Sequence, residues 1–553
     1  MIEKKIYQKS GFLLTAGILM ILFIAGFFAW RHYKYKLVNK KLDALVTVKS
    51  KGLYALSYKN LVINEALGDV SAENVELIPD SSVYQEMVKN KTDPDNLFFI
   101  KIPKLLITGV KTPKALLNKE IIAHIIRIQD PEITIRIVRQ DDSKKSNFSK
   151  YLKSEMYQQL LGNLKKMSAD SVVVENANLT LTGREPANIR FRAGGLSLRL
   201  SGTAIDSVLQ NDSSRILYSK ELVIHCNQLD LPLQSKIYTL RVGGLDFNTQ
   251  TNSLHAKDVR FKPLLSETDF ARTHKYATDR LDLVIGSLDI RRLNRNAFLH
   301  EQLIADSLLL SGASFHDFRD KSYPQDSVDR TDAYPQNAIM QLPLQIYLKN
   351  ILIRDSYIEY KEKNDKSDSS GKVSFFHVQA TFHNVTNMIA YIRKDDLMRL
   401  DFKALFLNKA SFTAVINMKL NDPVGHFKLH ATMGDLDAVS LNPLLKPMSL
   451  AELEKGKIDS LNFHLDATNR LGNGRLYLTY NDLSLKLLKK DDAKNKYKTR
   501  FLPTLAAGIA IKDSNPKNGN TRIGQVHYTR DLHRAIFNLM WKSLFSGIKK
   551  IAL

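Results

Sequence analysis

Leu179-Thr180-Leu181-Thr182 closes the stretch Ala169-Asp170-Ser171-Val172-Val173-Val174-Glu175-Asn176-Ala177-Asn178 and alternates apolar with polar residues one by one. At 180° per residue that alternation puts the leucines on one face of a strand and the threonines on the other, which a helical period of 3.6 cannot do. The same period governs Ile133-Thr134-Ile135-Arg136-Ile137, Ile189-Arg190-Phe191-Arg192, Leu196-Ser197-Leu198-Arg199-Leu200 and Ile351-Leu352-Ile353-Arg354. It continues in Tyr357-Ile358-Glu359-Tyr360, Phe427-Lys428-Leu429-His430 and Leu476-Tyr477-Leu478-Thr479-Tyr480. The chain after residue 45 is therefore predicted to be mainly β, an antiparallel sheet with one dry face and one wet face.

A loose unit recurs: a short apolar strand, a polar Asp, Asn or Gly corner, and a second alternating strand. Ala169 to Leu179 is one copy, Ala305 to Phe315 a second, Leu352 to Ile358 a third and His255 to Phe261 a weaker fourth. Such corners suit tight turns or bulges. Their spacing is irregular, so the pattern is a drifted repeat that would grow lengthwise rather than split into separate domains. Helices are few. Asn147 to Met167 carries Phe148, Leu152, Met156, Leu160 and Leu164 at four-residue steps; Ser449-Leu450-Ala451-Glu452 fits a capping box with Gly456 as a stop; and Arg530 to Ile551 is the last. Loops are expected at Phe318–Gln336, Glu362–Gly371 and Lys489–Arg500, each rich in charge, Ser, Asn or Pro.

With 553 residues, length alone predicts three or four domains. Hydrophobic residues at 44% and charged residues at 25% are those of a folded chain, excluding wholly disordered, collagen-like and polytopic membrane classes. One cysteine, Cys226, excludes an internal disulfide framework and Cys-rich metal centres. Lys and Arg exceed Asp and Glu by 80 − 57 = 23, which favours anionic partners such as nucleic acid or a phospholipid face. The basic residues are spread along the chain and no nucleic-acid module is visible, so no nucleic-acid partner is expected.

The N-terminus decides more. Residues 11–30, GFLLTAGILMILFIAGFFAW, run for 20 residues without a charge, enough for one helix to cross a bilayer core of about 30 Å. Trp30, Tyr33 and Tyr35 supply interfacial aromatics. The stretch is too long, and too bulky at its end, for a cleaved signal peptide, so it is read as a transmembrane anchor. Lys4, Lys5 and Lys9 before it nearly balance Arg31, Lys34, Lys36, Lys40 and Lys41 after it, so charge does not orient the span.

The chain contains no P-loop, no GxGxxG after a strand, no GxSxG elbow and no HExxH. His225 and Cys226 are adjacent in a strand and must diverge to opposite faces, one surface and one core. Asp435 and Asp437 read as turn formers. No enzyme, cofactor or metal site is expected. Sequons at Asn147, Asn178, Asn211 and Asn384 read as chance matches.

Phe427-Lys428-Leu429-His430-Ala431-Thr432-Met433-Gly434-Asp435-Leu436-Asp437 leads into Leu441-Asn442-Pro443-Leu444-Leu445-Lys446-Pro447, then Gly456-Lys457-Ile458-Asp459-Ser460-Leu461 and Gly474-Arg475-Leu476-Tyr477-Leu478-Thr479-Tyr480-Asn481-Asp482-Leu483. In that order these segments resemble the C-terminal region of AsmA-like cell-envelope proteins. Asn515-Pro516-Lys517 and Trp541-Lys542-Ser543-Leu544-Phe545-Ser546-Gly547-Ile548-Lys549 resemble the tail of the Bacteroidetes-type members. The match covers roughly residues 400–553. The resemblance implies a bacterial inner-membrane anchor with the body in the periplasm, and a role in lipid transport and outer-membrane biogenesis. It also implies a taco-like β-groove whose apolar lining carries phospholipid acyl chains, as in bridge-like lipid transfer proteins. The largest members are more than twice as long, which leaves a partial bridge or an assembly factor for outer-membrane proteins open.

The expected organisation is a cytoplasmic N-terminus (1–10), the transmembrane anchor (11–30), a basic juxtamembrane linker (31–45), a repetitive β body (46–425), an AsmA-like C-terminal β region (426–490) and a tail with an amphipathic helix (491–553). Leu179, Leu181, Ile189, Phe191, Leu196, Leu198, Leu200, Ile351, Ile353, Phe427 and Leu429 would line the interior, either as an open lipid groove or as a closed sandwich. Ile536, Phe537, Met540, Trp541, Leu544, Phe545 and Ile548 fall on one helical face beside Arg534, Lys542, Lys549 and Lys550, which suits either membrane-surface binding or capping of the sheet's end. Expected partners are phospholipid, the inner membrane and an outer-membrane or periplasmic protein.

Overall fold

The computed structural model describes residues 50–64, 66–111, 120–138, 165–206, 208–209, 212, 214–233, 237–364, 369–491, 496–499 and 512–553. The predicted anchor and linker, most of the helix expected over 147–167, and the sequons at Asn147 and Asn211 lie outside them. Among the described residues, no helix is long and apolar enough to cross a membrane. The chain divides into two compact units, Met1–Asp258 and Val259–Leu553. Both are mainly β.

The first unit holds Tyr54–Asn64 (β1), Asp69–Pro79 (β2), Asn96–Thr108 (β3), Glu120–Gln129 (β4), Glu132–Ile137 (β5), Lys166–Thr182 (β6), Ile189–Asp206 (β7), Glu221–Pro232 (β8) and Tyr238–Asn248 (β9), with the helix Ser81–Lys89 (α1) after β2. Ser253–Pro263 (β10) runs through the point of division. β1, β2 and β3 pair antiparallel. β3 then pairs with both β4 and β5, which follow each other along one line. That broken line pairs parallel to β6. β6 to β9 return to antiparallel pairing.

In the second unit come Asp279–Arg291 (β11), Gln302–Ser311 (β12), Ser314–Asp320 (β13), Gln345–Lys363 (β14), Gly371–Thr386 (β15), Leu397–Phe406 (β16), Ala410–Lys419 (β17), Phe427–Met433 (β18), Leu436–Asp437 (β19), Ala451–Ala467 (β20), Leu471–Asp491 (β21), Lys496–Thr499 (β22) and Ile523–Thr529 (β23). Its helices are Glu267–Arg272 (α2), Arg295–Leu299 (α3), Pro335–Met340 (α4), Ile389–Ile392 (α5), Asn442–Ser449 (α6) and Ile536–Ala552 (α7). β11 pairs with the broken line β12–β13, which pairs parallel to β14. Antiparallel pairing then runs through β15, β16, β17, β18, β20 and β21 to β23.

Antiparallel pairing therefore dominates, as the alternation predicts, but each unit contains a parallel joint. The two joints share their backbone bonds. In the first, Asp130 N–H donates to Glu175 O at 2.9 Å and Asn178 N–H to Pro131 O at 2.8 Å; in the second, Gly312 N–H donates to Arg354 O at 3.1 Å and Tyr357 N–H to Ala313 O at 2.8 Å. Asp130 corresponds to Gly312, and Asn176 to Asp355; all four have positive φ, at 49°, 62°, 51° and 46°. Only Gly, Asn and Asp enter that left-handed region cheaply, which is why the corners carry those residues. The repeat is real, but its frame differs from the sequence reading. Ala305 to Phe315 matches β4–β5, whereas Ala169 to Leu179 matches the part of β14 around Asp355. The corner inside β6 and β14 is a bulge in one long strand, not a turn between two. A bulge takes up one residue, so the dry face stays dry on both sides of it.

Five local expectations are corrected. Ser449 ends α6 instead of capping a helix, because Leu450 turns left-handed (φ 48°) and Ala451 enters β20. Gly456 lies inside that strand, with positive φ, at a register shift against β21. Lys166 and Met167 open β6 rather than close a helix. Lys489–Asp491 and Lys496–Thr499 are strand, pairing β21 with β22, where a loop was expected. The last helix starts at Ile536, six residues after the expected Arg530. The loop expected at Phe318–Gln336 is narrower at both ends, since Phe318–Asp320 belong to β13 and α4 begins at Pro335.

Candidate functional site

Residues directly opposed on neighbouring strands share a face. One line of such neighbours in the second unit reads Ile290, Leu308, Ile351, Phe382, Leu400, Ile416, Leu429 and Leu465. The line beside it reads Leu288, Leu310, Ile353, Ala380, Phe402, Ala414, Ala431, Phe463 and Leu476. Beyond the bulge, Leu283, Phe315, Ile358, Phe375, Phe406 and Ala410 continue the same dry face. The opposite face carries ion pairs and hydroxyl ladders such as Arg399–Asp401 at 2.6 Å and Thr413–Thr432 at 2.7 Å.

Coverage of the dry face changes along it. On β18 to β21 it is closed: Phe427 is 0% exposed and Leu476 0%. α7 lies over β21 and β23 there, and Tyr334 packs edge-on to Phe427 at 6.2 Å with the Arg530 guanidinium 4.5 Å above its ring. On β11 to β17 many of the large side chains are only half-buried, including Leu283, Leu308, Leu310, Phe315, Ile351, Ile353, Ile358, Phe375, Phe382, Leu400 and Phe402, while Ile290, Met398 and Met418 are buried. Phe375 anchors an aromatic cluster here, with ring centroids 5.6 Å from Phe402, 5.5 Å from Phe406 and 5.3 Å from Phe412. Val378, Ala380 and Ala404 form the small floor beneath it. Small residues alternating with half-covered rings leave an apolar trough that, among the described residues, α6 and Leu441 cover only in part, against β14, β15 and Phe412. Chemically, such a surface takes hydrocarbon, at about 25 cal/mol per Å² removed from water.

The trough ends in charge. Past Leu283–Phe315–Ile358, the next rungs are Leu281–Asp317–Tyr360 and Asp279–Arg319–Glu362. Arg319 donates to Asp279 at 2.7 Å and to the Ala277 carbonyl at 2.8 Å. Tyr360 O–H donates to Glu362 at 2.6 Å, and burial and that carboxylate push its pKa far up. Lys321 pairs with Glu362 at 2.5 Å. Burial, then repulsion by Asp279, raises the Asp317 carboxyl to about 7 against the pull of Arg319. A cavity of about 180 Å³ lies near these strands, lined by Lys262, Glu267, Arg280, Asp282, His316, Asp317, Phe318, Glu359 and Lys361. Its two lysines are paired within it, Lys361 with Glu267 at 2.8 Å and Lys262 with Asp282 at 2.5 Å.

The residues picked from sequence fall into four environments. Leu179, Leu181, Leu196, Leu198 and Leu200 are 0–6% exposed in the packed interior of the first unit, beside Ile128 and Leu105 at 0%. Ile189 and Phe191 are half-buried at that unit's margin. Ile351 and Ile353 lie in the trough, and Phe427 and Leu429 under the closed part of the second unit. Sequence reasoning missed the aromatic cluster of β15 to β17 and the charged rungs. Phe402-Lys403-Ala404-Leu405-Phe406 carries a signal for the former, an alternating row of Phe and Ala.

Cys226 is 0% exposed, its thiol donates to Gln228 O at 3.3 Å, and burial raises its pKa. His225 points the other way, to Asp246 at 2.6 Å. Asp437 caps the turn at Val439, as expected of a turn former. Among the described residues no group of three metal-capable side chains converges. Asn178 is exposed, whereas the Asn384 amide donates to the carbonyls of Asp395 and Leu397 at 2.9 and 3.1 Å.

α7 separates the residues grouped on one face in the sequence. Ile536 is buried with Leu539, Ser543, Gly547 and Ile551 against the sheet. Phe537, Trp541 and Phe545 point away and are 75%, 41% and 39% exposed, with Met540, Leu544 and Ile548 half-buried between the two sides.

No family model matches this chain, and no curated protein matches it. Among solved structures, the crystal structure of sex pheromone staph-cAM373 precursor aligns with 65% of this chain and 89% of its own, at 8% identity and a TM-score of 0.12.

Proposed function

We propose that this is a non-enzymatic protein that holds phospholipid acyl chains in the apolar trough of β11 to β17, anchored in a bacterial inner membrane by residues 11–30 with its body in the periplasm. In that setting it serves lipid transport to, or lipid homeostasis of, the outer membrane. One observation carries the reading: the half-buried row from Leu283 through Phe375 to Phe412, which the described residues cover less completely than its neighbours on β18 to β21. A dry sheet face this long is covered by protein, ligand or membrane. The charged rungs at Asp317 and Arg319 offer a polar terminus to a molecule with an apolar body. The resemblance of Phe427 to Leu483 to AsmA-like proteins points the same way.

A second reading rests on the first unit. Its dry face is closed, with Leu200 and Ile128 at 0% exposure, as befits a rigid scaffold or assembly factor for outer-membrane proteins.

Photo-crosslinking in the full chain separates the two. A benzophenone side chain replacing Phe402 faces the trough, and one replacing Lys403 faces the wet side. Phospholipid adducts, identified by mass, are expected at Phe402 and not at Lys403. Adducts to protein alone, or lipid at both positions equally, would reject acyl-chain binding.

A further inference from the structure

The terminal helix has two working faces, and the fold uses only one. Ile536, Leu539, Ser543, Gly547 and Ile551 seat it on β21 and β23. Its C-terminus is tied down by Arg522, whose Nε donates to Ile551 O at 2.8 Å, and by Lys512 N–H to Ala552 O at 2.9 Å. The helix is thus held without help from its outer side. Yet that side carries Phe537, Trp541 and Phe545 at four-residue steps, a ridge along one line of the helix. Trp541 and Phe545 stack at 6.4 Å, and the Lys549 ammonium sits 4.9 Å from the Phe545 ring centre. Lys542, Lys549 and Lys550 are exposed, and no Asp or Glu occurs from Leu532 to Leu553. Exposed rings in water gain nothing for folding.

We infer that this ridge docks on an anionic phospholipid surface. Trp and Phe enter the boundary between headgroups and acyl chains, while the lysines reach the phosphates from the flank. Charge complementarity selects this occupant: three lysines with no acidic counterpart suit a continuous negative surface, and each adds attraction there. The surface is separate from the trough, so either proposal can fail alone.

The chain has two tryptophans, so Trp30→Phe leaves Trp541 as sole reporter. The full chain, kept in solution in unbrominated nanodiscs, is mixed with vesicles of phosphatidylethanolamine and phosphatidylglycerol bearing brominated acyl chains. Trp541 emission should shift to the blue and fall at least about twofold, because bromine quenches only on contact. Replacing phosphatidylglycerol by phosphatidylcholine should weaken binding about tenfold. Phe537→Ser with Phe545→Ser should weaken it about tenfold or more with the far-ultraviolet spectrum unchanged, since both side chains are exposed. Unchanged emission, equal binding to phosphatidylcholine, or a blue shift that follows protein concentration without vesicles would overturn the inference, the last by assigning the ridge to a second copy.

Discussion

Asn442 grips the backbone of Leu453 from both sides, its amide donating to Leu453 O at 2.8 Å and its side-chain oxygen accepting from Leu453 N–H at 2.8 Å. Asn442 is 8% exposed and Leu453 5%, so water does not substitute for either bond. Asn515 repeats the device, donating to Leu478 O at 2.6 Å and accepting from Arg522 N–H at 2.8 Å while 0% exposed. Both asparagines precede proline. Their role here is to tie irregular chain to the edge of β20 and β21. Asn442→Ala should leave two buried backbone groups unpaired and cost about 2–4 kcal/mol in urea unfolding. A loss below about 0.5 kcal/mol would mean that the clamp is not formed in solution.

The helix α7 depends on a close backbone approach. A Cβ at Gly524 would fall 2.9 Å from the Cα of Gly547 and nearer still to its carbonyl oxygen. Neither atom is the free end of a side chain, so the helix itself must move. Gly524→Ala should destabilise the chain by about 2–3 kcal/mol and expose Leu539. Gly519→Ala is the comparison, since its φ is +78° but nothing lies within 4 Å. It should cost only about 1 kcal/mol of backbone strain. Equal midpoints for the two variants would contradict the packing described for Gly524.

What the sequence made legible follows from what period-2 alternation encodes. Alternation names the strand and its dry side, so Leu198, Ile353 and Phe427 were all recognisable as inward-facing. It says nothing about what lies opposite, and so could not separate Leu198, 2% exposed in a packed interior, from Ile353, half-buried in a trough. The parallel joints were invisible because Asp130-Pro131 and Gly312-Ala313 share backbone bonds but no side chains. Ser449-Leu450-Ala451-Glu452 looked like a helix start because the capping pattern is local, whereas pairing with Lys486 and Leu487 across β21 decides the strand. In α7, apolar residues occupy so much of the circumference that periodicity alone placed Ile536 and Phe537 together; packing against Gly524 and Gly472 chose the inner side.

That contrast makes a paired prediction. Leu198→Glu buries a carboxylate with no partner and should unfold the first unit, by about 4 kcal/mol or more. Ile353→Glu places the carboxylate where water or lipid already reaches, and should cost about 1–2 kcal/mol while removing lipid adducts at a benzophenone placed at Phe402. Circular dichroism and crosslinking on the same preparations check both. If Ile353→Glu unfolds the second unit as severely as Leu198→Glu does the first, the trough is a closed core and acyl-chain binding loses its main support.

Asp317 supplies a pH dependence whose sign is fixed by its surroundings. It shares a rung with Leu281 and Tyr360, next to Asp279 and Arg319. Burial and the Asp279 charge raise its pKa to about 7 from an unfolded value near 3.8. The folded chain then binds a proton that the unfolded chain has released between those values, so this group's contribution to stability is full below about pH 4 and is lost as pH rises through about 7. Asp317→Asn, neutral at every pH, should flatten that slope and be more stable than the parent above pH 7 by about 2 kcal/mol. Urea midpoints from pH 4 to pH 8 measure this directly. Parallel pH profiles for the two proteins would show that Asp317 is hydrated and ionised throughout, and that water reaches the end of the trough without lipid. A profile that flattens in Asp317→Asn, and flattens in the parent once lipid is bound, would place the ligand's polar end against this carboxyl.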